Sequence, residues 1–373
     1  MANIYLDYAA TSRKHFDIIE KNMNILKEVY ANPSSGHTLG KKNNRLVREG
    51  REKIAKTLNA NSNEIIFNSG GTESNNTVFN HVLTRFETGE IIISSIEHPS
   101  VKASAKRLER FGFKVHELSV DESGAISLDE LKEKINSKTV LISIMLANNE
   151  TGVLNPVKEI AELIADKNIL LHSDIVQALG KVEIDVKELG LDFASASAHK
   201  LGSLNNFGFL YAKDGDVEPL LLGGGQENGL RSGTTDLLGI LVLNDCLSET
   251  LNSIPTLREL KNYFISELTK NGVEFEVNGS IENSLPNILN IYFKNIEAQR
   301  LITYLDARDI YISGGSACSS GNIKGSRIIT EMYNIERAAY SVRMSVGFDT
   351  SKELIDEVVE KIATLEKRIK ERN

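Results

Sequence analysis

Between residues 60 and 212 short apolar runs alternate with longer amphipathic stretches, and this alternation restricts the fold more than any other feature of the chain. EIIF precedes a helical stretch from Thr72, and EIIIS precedes one from Pro99 to Phe111. The pattern continues through KVHEL, TVLISIM, a helical stretch from Pro156 to Lys167, then NILLHSD, LDFASAS and FGFLYA. Brief apolar strands separated by helices predict an α/β fold, a mainly parallel central sheet with helices on both faces.

Sheets of this kind bind ligands at the carboxyl ends of their strands. EIIF is followed by NSGGTESNN, EIIIS by SIEHPS, TVLISIM by LANNETG, NILLH by SDIVQ, and LDFASAS by AHK. These strand ends direct Gly71, Thr72, His98, Asn149, Asp174, Gln177, Ser197, His199 and Lys200 towards one rim.

Further along, GGGQENGLRSGTT is glycine-rich, helical patterns run to about residue 272, and VEFEV and NILNIYF start a second unit. A chain of 373 residues with 41% hydrophobic side chains can bury one large core and one smaller one. The boundary is expected near residue 250: a large ligand-binding domain over 14–250, and a smaller α+β domain over 251–373 that also takes residues 1–13. The last helix carries Ile355, Val358, Ile362, Leu365 and Ile369 at spacings of three and four, an apolar stripe suited to packing on the small domain's sheet.

Lys and Arg total 43 against 51 Asp and Glu, and the net charge of −8 argues against direct nucleic-acid binding. MANIYLDYAATSRK lacks the pattern of a secretory signal and no uninterrupted apolar run approaches bilayer length, so a cytoplasmic protein without a membrane partner is expected. Two cysteines allow neither a disulfide framework nor a four-cysteine metal site, and no metal is expected. Cys246 lies in DLLGILVLNDCLSET, whose spacing fits a buried helix and an inert packing thiol. Cys318 lies in SGGSACSSGNIKG, a polar Gly/Ser-rich loop in which a thiol is hard to explain by packing.

Each strand end has a plain structural reading. Ser69 or Thr72 could cap a helix with Glu73 in support, Asp174 could cap the helix that follows it, and most lysines are solvated charges. As functional groups, Gly71 and Thr72 would face an anion at a helix start, and Asp174 at the end of a buried strand would need a cation. Lys200 completes a set in which an aldehyde cofactor finds an amine, an acid partner for a ring nitrogen, and a helix start for its phosphate.

With these residues in place, the chain resembles the cysteine desulfurases, in the class V aminotransferase group of fold-type I enzymes that use pyridoxal 5'-phosphate. YLDYAATS, GGTESNN, IEHPSV, ANNETGV, HSDIVQALGKVEID, SASAHK, GGGQENGLRSGT, PNILN, SGGSACSSG and SVRMSVG match family blocks in family order, from Ile4 to about Gly347. The resemblance implies that Lys200 forms the Schiff base and shuttles the substrate's α-proton. It implies that Asp174 pairs with the ring nitrogen, Gln177 bonds the ring hydroxyl, and His98 stacks on the ring as an acid or base. Thr72, Ser197 and His199 would bind the phosphate, joined by Thr234 from the second subunit of a homodimer. Asn149 would support the ring hydroxyl or the substrate, and Arg343 would hold the carboxylate of L-cysteine in a bidentate pair. Cys318 would take the sulfur as a persulfide and pass it to an acceptor protein, in iron–sulfur cluster assembly or transfer-RNA thiolation, leaving alanine.

Another class V enzyme, a selenocysteine lyase or an aminotransferase, would share Lys200 and Asp174 without needing Cys318, and a non-catalytic sulfur-transfer scaffold would need neither. Two departures from the family pattern stand out. LGSLNNFG replaces a Gly-Pro-Lys-Gly run after Lys200, and Ile175 stands where alanine is usual, with Val176 expected beneath the ring.

Overall fold

The computed structural model describes residues 3–315 and 325–371. In chain order its strands are β1 (Ile4–Tyr5), β2 (Ile65–Asn68), β3 (Glu90–Ser94), β4 (Lys114–Leu118), β5 (Thr139–Ser143) and β6 (Leu170–Asp174). They continue with β7 (Phe193–Ser197), β8 (Gly208–Ala212), β9 (Phe275–Val277), β10 (Ile288–Phe293), β11 (Ile310–Tyr311) and β12 (Ser341–Ser345).

Seven of them form one sheet in the order β2-β8-β7-β6-β5-β3-β4. Every pair between β3 and β7 is parallel, whereas β8 runs antiparallel to both β7 and β2. Since β2 is antiparallel to β8, it points the same way as the rest, and the carboxyl ends of β2, β3, β5, β6 and β7 meet at one edge. The direction of β8 follows from its connection to β7, which contains only a short 3₁₀ turn at Ala198–Leu201 and no crossover helix. Strands β2, β5, β7 and β8 are buried along their whole length, whereas the edge strand β4 exposes Lys114 and Glu117.

A second sheet, β12-β10-β9, is antiparallel, and β1 pairs with β11 in parallel beside it. Against it lies the helix Lys352–Lys370, whose Ile355, Val358, Ile362, Leu365 and Ile369 are all buried in one core with Leu289, Ile291 and Phe293 of β10. Burying each such side chain contributes about 1.5–3 kcal/mol against leaving it in water.

The 34-residue helix Leu237–Lys270 connects the two cores. Its first half sends Leu237, Ile240, Leu243 and Cys246 into the core of the large sheet, and its second half sends Leu257, Leu260, Phe264 and Leu268 into the small one. Residue 250 lies within this helix. It is long and apolar enough to cross a membrane by composition alone, but those apolar side chains fill the two protein cores.

Candidate active site

At the shared edge of the large sheet lies a cavity of about 670 Å³. Gly71, Thr72, His98, Asn149, Asp174, Gln177, Ser197, His199, Lys200 and Arg343 all line it, so ten of the residues expected from sequence come together. Thr234 is exposed in the loop before Leu237 and is not among the lining residues of this chain. Cys318 lies outside the described residues.

Lys200 sits on the 3₁₀ turn after β7, and its Nζ donates to the carbonyls of Ala9 and Ala10 at 2.7 and 2.6 Å. The N-terminal segment therefore reaches the site, with Ala9, Ala10 and Thr11 forming part of the wall. Its strand-like start and the block YLDYAATS gave no sign of which residue it would meet.

Asp174 ends β6, 7% exposed. Its Oδ1 accepts from the backbone N–H of Val176 at 3.0 Å, and its Oδ2 accepts from Asn75 Nδ2 at 2.9 Å. Asn75 also donates to Ser100 Oγ at 2.9 Å, and Ser100 Oγ lies 2.7 Å from His98 Nδ1. The backbone N–H of Ser100 donates to the same Nδ1, which makes it an acceptor and leaves the proton of the neutral ring on Nε2. Burial holds His98 below its ordinary value; Asp174 opposes this and Lys200 adds to it.

The helix Gly71–Arg85 starts at Gly70, whose φ is +123°, and has no side-chain cap. Glu73 does not close the start either: its carboxylate takes the N–H of Ser69 at 2.8 Å and the guanidinium of Arg231 at 2.9 and 3.1 Å. The helix N-terminus is left facing the cavity beside Ser197. A Cβ on Gly71 would come within 2.7 Å of Val176 Cγ2, so glycine is what lets the turn close against the floor of the site. Ile175 is buried in the core and Val176 lines the cavity, as the alternation from Asp174 requires.

These residues fit pyridoxal phosphate. Gln177 donates Nε2 to the Ala9 carbonyl at 2.9 Å, while its Oε1 and the Oδ1 of Asn75 are buried without a donor among the described residues. The unmet acceptor of Gln177 and a buried carboxylate, with an uncapped helix start and a lysine amine in one cavity, match a flat aromatic ring bearing a hydroxyl, a protonated nitrogen and a phosphate.

Two basic groups, His199 in the cavity wall and Lys181 behind it, are held below their ordinary values. Burial, with Lys200, Lys14 and Lys181 adding to it, pushes His199 down to about 3, so it meets the site as a neutral donor or acceptor. Burial, with Lys200 adding to it, lowers Lys181 to about 7; its Nζ donates to the Gln177 carbonyl at 3.1 Å. Lys181 was readable in the block HSDIVQALGKVEID, but its enclosure was not.

The segment that departs from the family run keeps a tight turn. Gly202 takes φ +76° against Arg13 and His15, Asn206 takes φ +54°, and Asn205 Oδ1 accepts from Lys14 Nζ at 2.7 Å. Asn205 and Asn206 both reach the cavity wall.

Comparison with known proteins agrees with this geometry. Residues 4–358 match the family model described as aminotransferase class-V. The chain is 38% identical to the cysteine desulfurase IscS of Dictyoglomus turgidum over 97% of its own length and 96% of that protein. It is 37% identical to the putative cysteine desulfurase IscS 1 of Bacillus subtilis over 99% of its own length and 100% of that protein. The chain belongs to the class V aminotransferase family, in its cysteine desulfurase branch. Among solved structures, a NifS-like protein superposes with a TM-score of 0.89 at 33% identity, covering 98% of this chain and 99% of that one. SspA in complex with cysteine gives 0.81 at 32% identity over 92% of this chain and 98% of that one. Cysteine desulfurases of this branch depend on pyridoxal phosphate, and the site built from Lys200, Asp174 and Gln177 is the part of this chain suited to it.

Proposed function

We infer that this protein is a pyridoxal-phosphate-dependent cysteine desulfurase that converts L-cysteine to L-alanine and carries the sulfur away as a persulfide on Cys318. The observation that carries this reading is the convergence of Lys200, Asp174, His98, Gln177 and Arg343 on one cavity. Such convergence favours an enzyme over a scaffold, which has no use for a half-buried lysine amine sharing a cavity with a buried carboxylate.

Bound pyridoxal phosphate supplies an aldehyde carbon and an electron-accepting ring. Asp174, held by Asn75 and Val176, keeps a negative charge where the ring nitrogen would lie. Thr72, Ser197 and His199 hold the phosphate at the open helix start, and Gln177 and Asn149 serve the ring hydroxyl and the substrate. Lys200 takes the proton from the substrate's α-carbon and returns it, while His98, with its proton on Nε2, moves a second proton. Arg343 fixes the substrate carboxylate. Cys318, as thiolate, bonds to the substrate sulfur; the carbon–sulfur bond breaks, its electron pair stays with carbon, and that carbon gains a proton to become the methyl of alanine.

In this reading the protein works in the cytoplasm as a homodimer, with Thr234 completing the partner subunit's phosphate site. Residues 14–250 form the large domain, and 251–373 with 1–13 the small one. Its acceptor is a scaffold or thiolation protein that takes sulfur as sulfane.

Purified protein given cysteine and a thiol reductant is expected to release alanine and sulfide in equal amounts. Cys318→Ala is expected to keep the cofactor's absorbance and lose sulfide release. Sulfide release at the unaltered rate in that variant removes the thiol from the reaction, and amino transfer to an oxo-acid without sulfide selects an aminotransferase.

A further inference from the structure

The guanidinium of Arg343 is already paired. Its side chain is 2% exposed, and burying a cation so deeply requires a counter-charge. Asp7 provides one: Arg343 Nη2 donates to Asp7 Oδ1 at 2.6 Å, and Nη1 donates to the Asn149 carbonyl at 2.9 Å. Nε is buried and finds no acceptor among the described residues. An arginine carries five N–H donors, so this one retains capacity for a further acceptor while Asp7 stays in place.

Asp7 is also fixed. It forms a β-bridge with Ser345, and its carbonyl accepts from the Tyr5 hydroxyl at 3.1 Å and from the N–H of Ala10 at 3.0 Å. These bonds fix the main chain of Asp7 and so keep its carboxylate within reach of Arg343. The other cations of the cavity are engaged as well. Arg327 donates to the carbonyls of Ser95 and Glu97 and pairs with Glu331 at 3.5 Å, and Lys200 donates to Ala9 and Ala10.

We propose that Asp7 is a specificity residue: as the resting counter-ion of Arg343 it lets the site accept a small amino acid with one carboxylate and reject dicarboxylates. This rests on the reading of Arg343 as the residue that binds the substrate carboxylate. A single carboxylate joins a neutral Arg343–Asp7 pair and fills the donors left over. Asp7 does not line the cavity and acts through Arg343: a second carboxylate, on the substrate side chain, enters a cavity that already holds Asp174 and whose two guanidinium groups are already paired, and discrimination by such a repulsive element is a general route to specificity.

The test compares propionate with succinate as probes of the holoenzyme at constant ionic strength, reading the concentration of each that gives half-maximal thermal stabilisation. In the native sequence propionate is expected to bind more tightly than succinate by about tenfold or more. In Asp7→Asn that ratio is expected to collapse towards one, and Asp7→Glu is expected to restore it. Equal binding of the two probes by the native protein overturns the proposal even if Asp7→Asn does not fold, and so does an unchanged ratio in Asp7→Asn. The ratio is measured without turnover, so a failure of cysteine desulfuration is read separately, in the alanine and sulfide assay.

Discussion

Asn75 holds the Oδ2 of Asp174 at 2.9 Å. The amide comes from the helix that opens at the cavity, and the carboxylate from the end of β6. Its second donor goes to Ser100, so one side chain steadies both Asp174 and, through Ser100, His98. A hydrogen bond to a charged group contributes about 1.5–3 kcal/mol. Asn75→Ala is therefore expected to weaken pyridoxal phosphate binding by about tenfold or more. Titration of the stripped protein with cofactor, followed by absorbance, measures it; an affinity equal to the native one would mean that Asp174 needs no such support.

Glu97 is expected to make the protein less stable as pH rises. The residue is 1% exposed, with Oε1 accepting from Ser94 Oγ at 2.7 Å and from the N–H of Met145 at 2.8 Å. Burial pushes its carboxyl from 4.5 up to about 8. The folded state thus keeps a proton that the unfolded chain gives up, so its contribution is complete below about 4.5 and is lost as pH climbs through about 8. Glu97→Gln keeps the shape without titrating, and its unfolding free energy is expected to vary less with pH across this window. Parallel pH profiles for the two proteins would show that Glu97 is ionised in the fold.

The two thiols are expected to differ in reactivity. Cys246 is fully buried in the helix Leu237–Lys270, and burial pushes its thiol up to about 12. Thiolate is the nucleophile, so Cys246 is expected to stay unmodified when the native protein is treated with iodoacetamide near pH 8. Cys246→Ala is expected to retain desulfuration and to lose about 1 kcal/mol of stability. Peptide mass spectrometry and urea unfolding check the two halves; alkylation of Cys246 in the native state would contradict its burial.

Much of this site could be read from sequence because the strand-end rule acts locally. Asp174, Gln177, His199 and Lys200 each follow an apolar run within a few residues, and a parallel sheet then brings them together. What escaped were residues defined by a meeting far along the chain. Nothing near Asn75 announces Asp174, nothing near Asp7 announces Arg343, and the enclosure of Lys181 depends on elements packed over it. The reversed direction of β8 was hidden for another reason: antiparallel and parallel buried strands have the same apolar composition, and only the missing crossover helix separates them. The role of Cys318 and the part given to Thr234 still stand on sequence alone.

The contacts around Lys200 also set an order of assembly. Its amine rests on the carbonyls of Ala9 and Ala10, and the N–H of Ala9 is held in turn by Ser345 Oγ at 2.9 Å. The beginning, middle and end of the chain thus share one small knot. A ribosome delivering this protein residue by residue exposes the reactive lysine long before the serine that fastens its surroundings, so the nascent large sheet carries an unfinished pocket. Competence for the cofactor is therefore expected only once β12, which carries Ser345, has been made and paired.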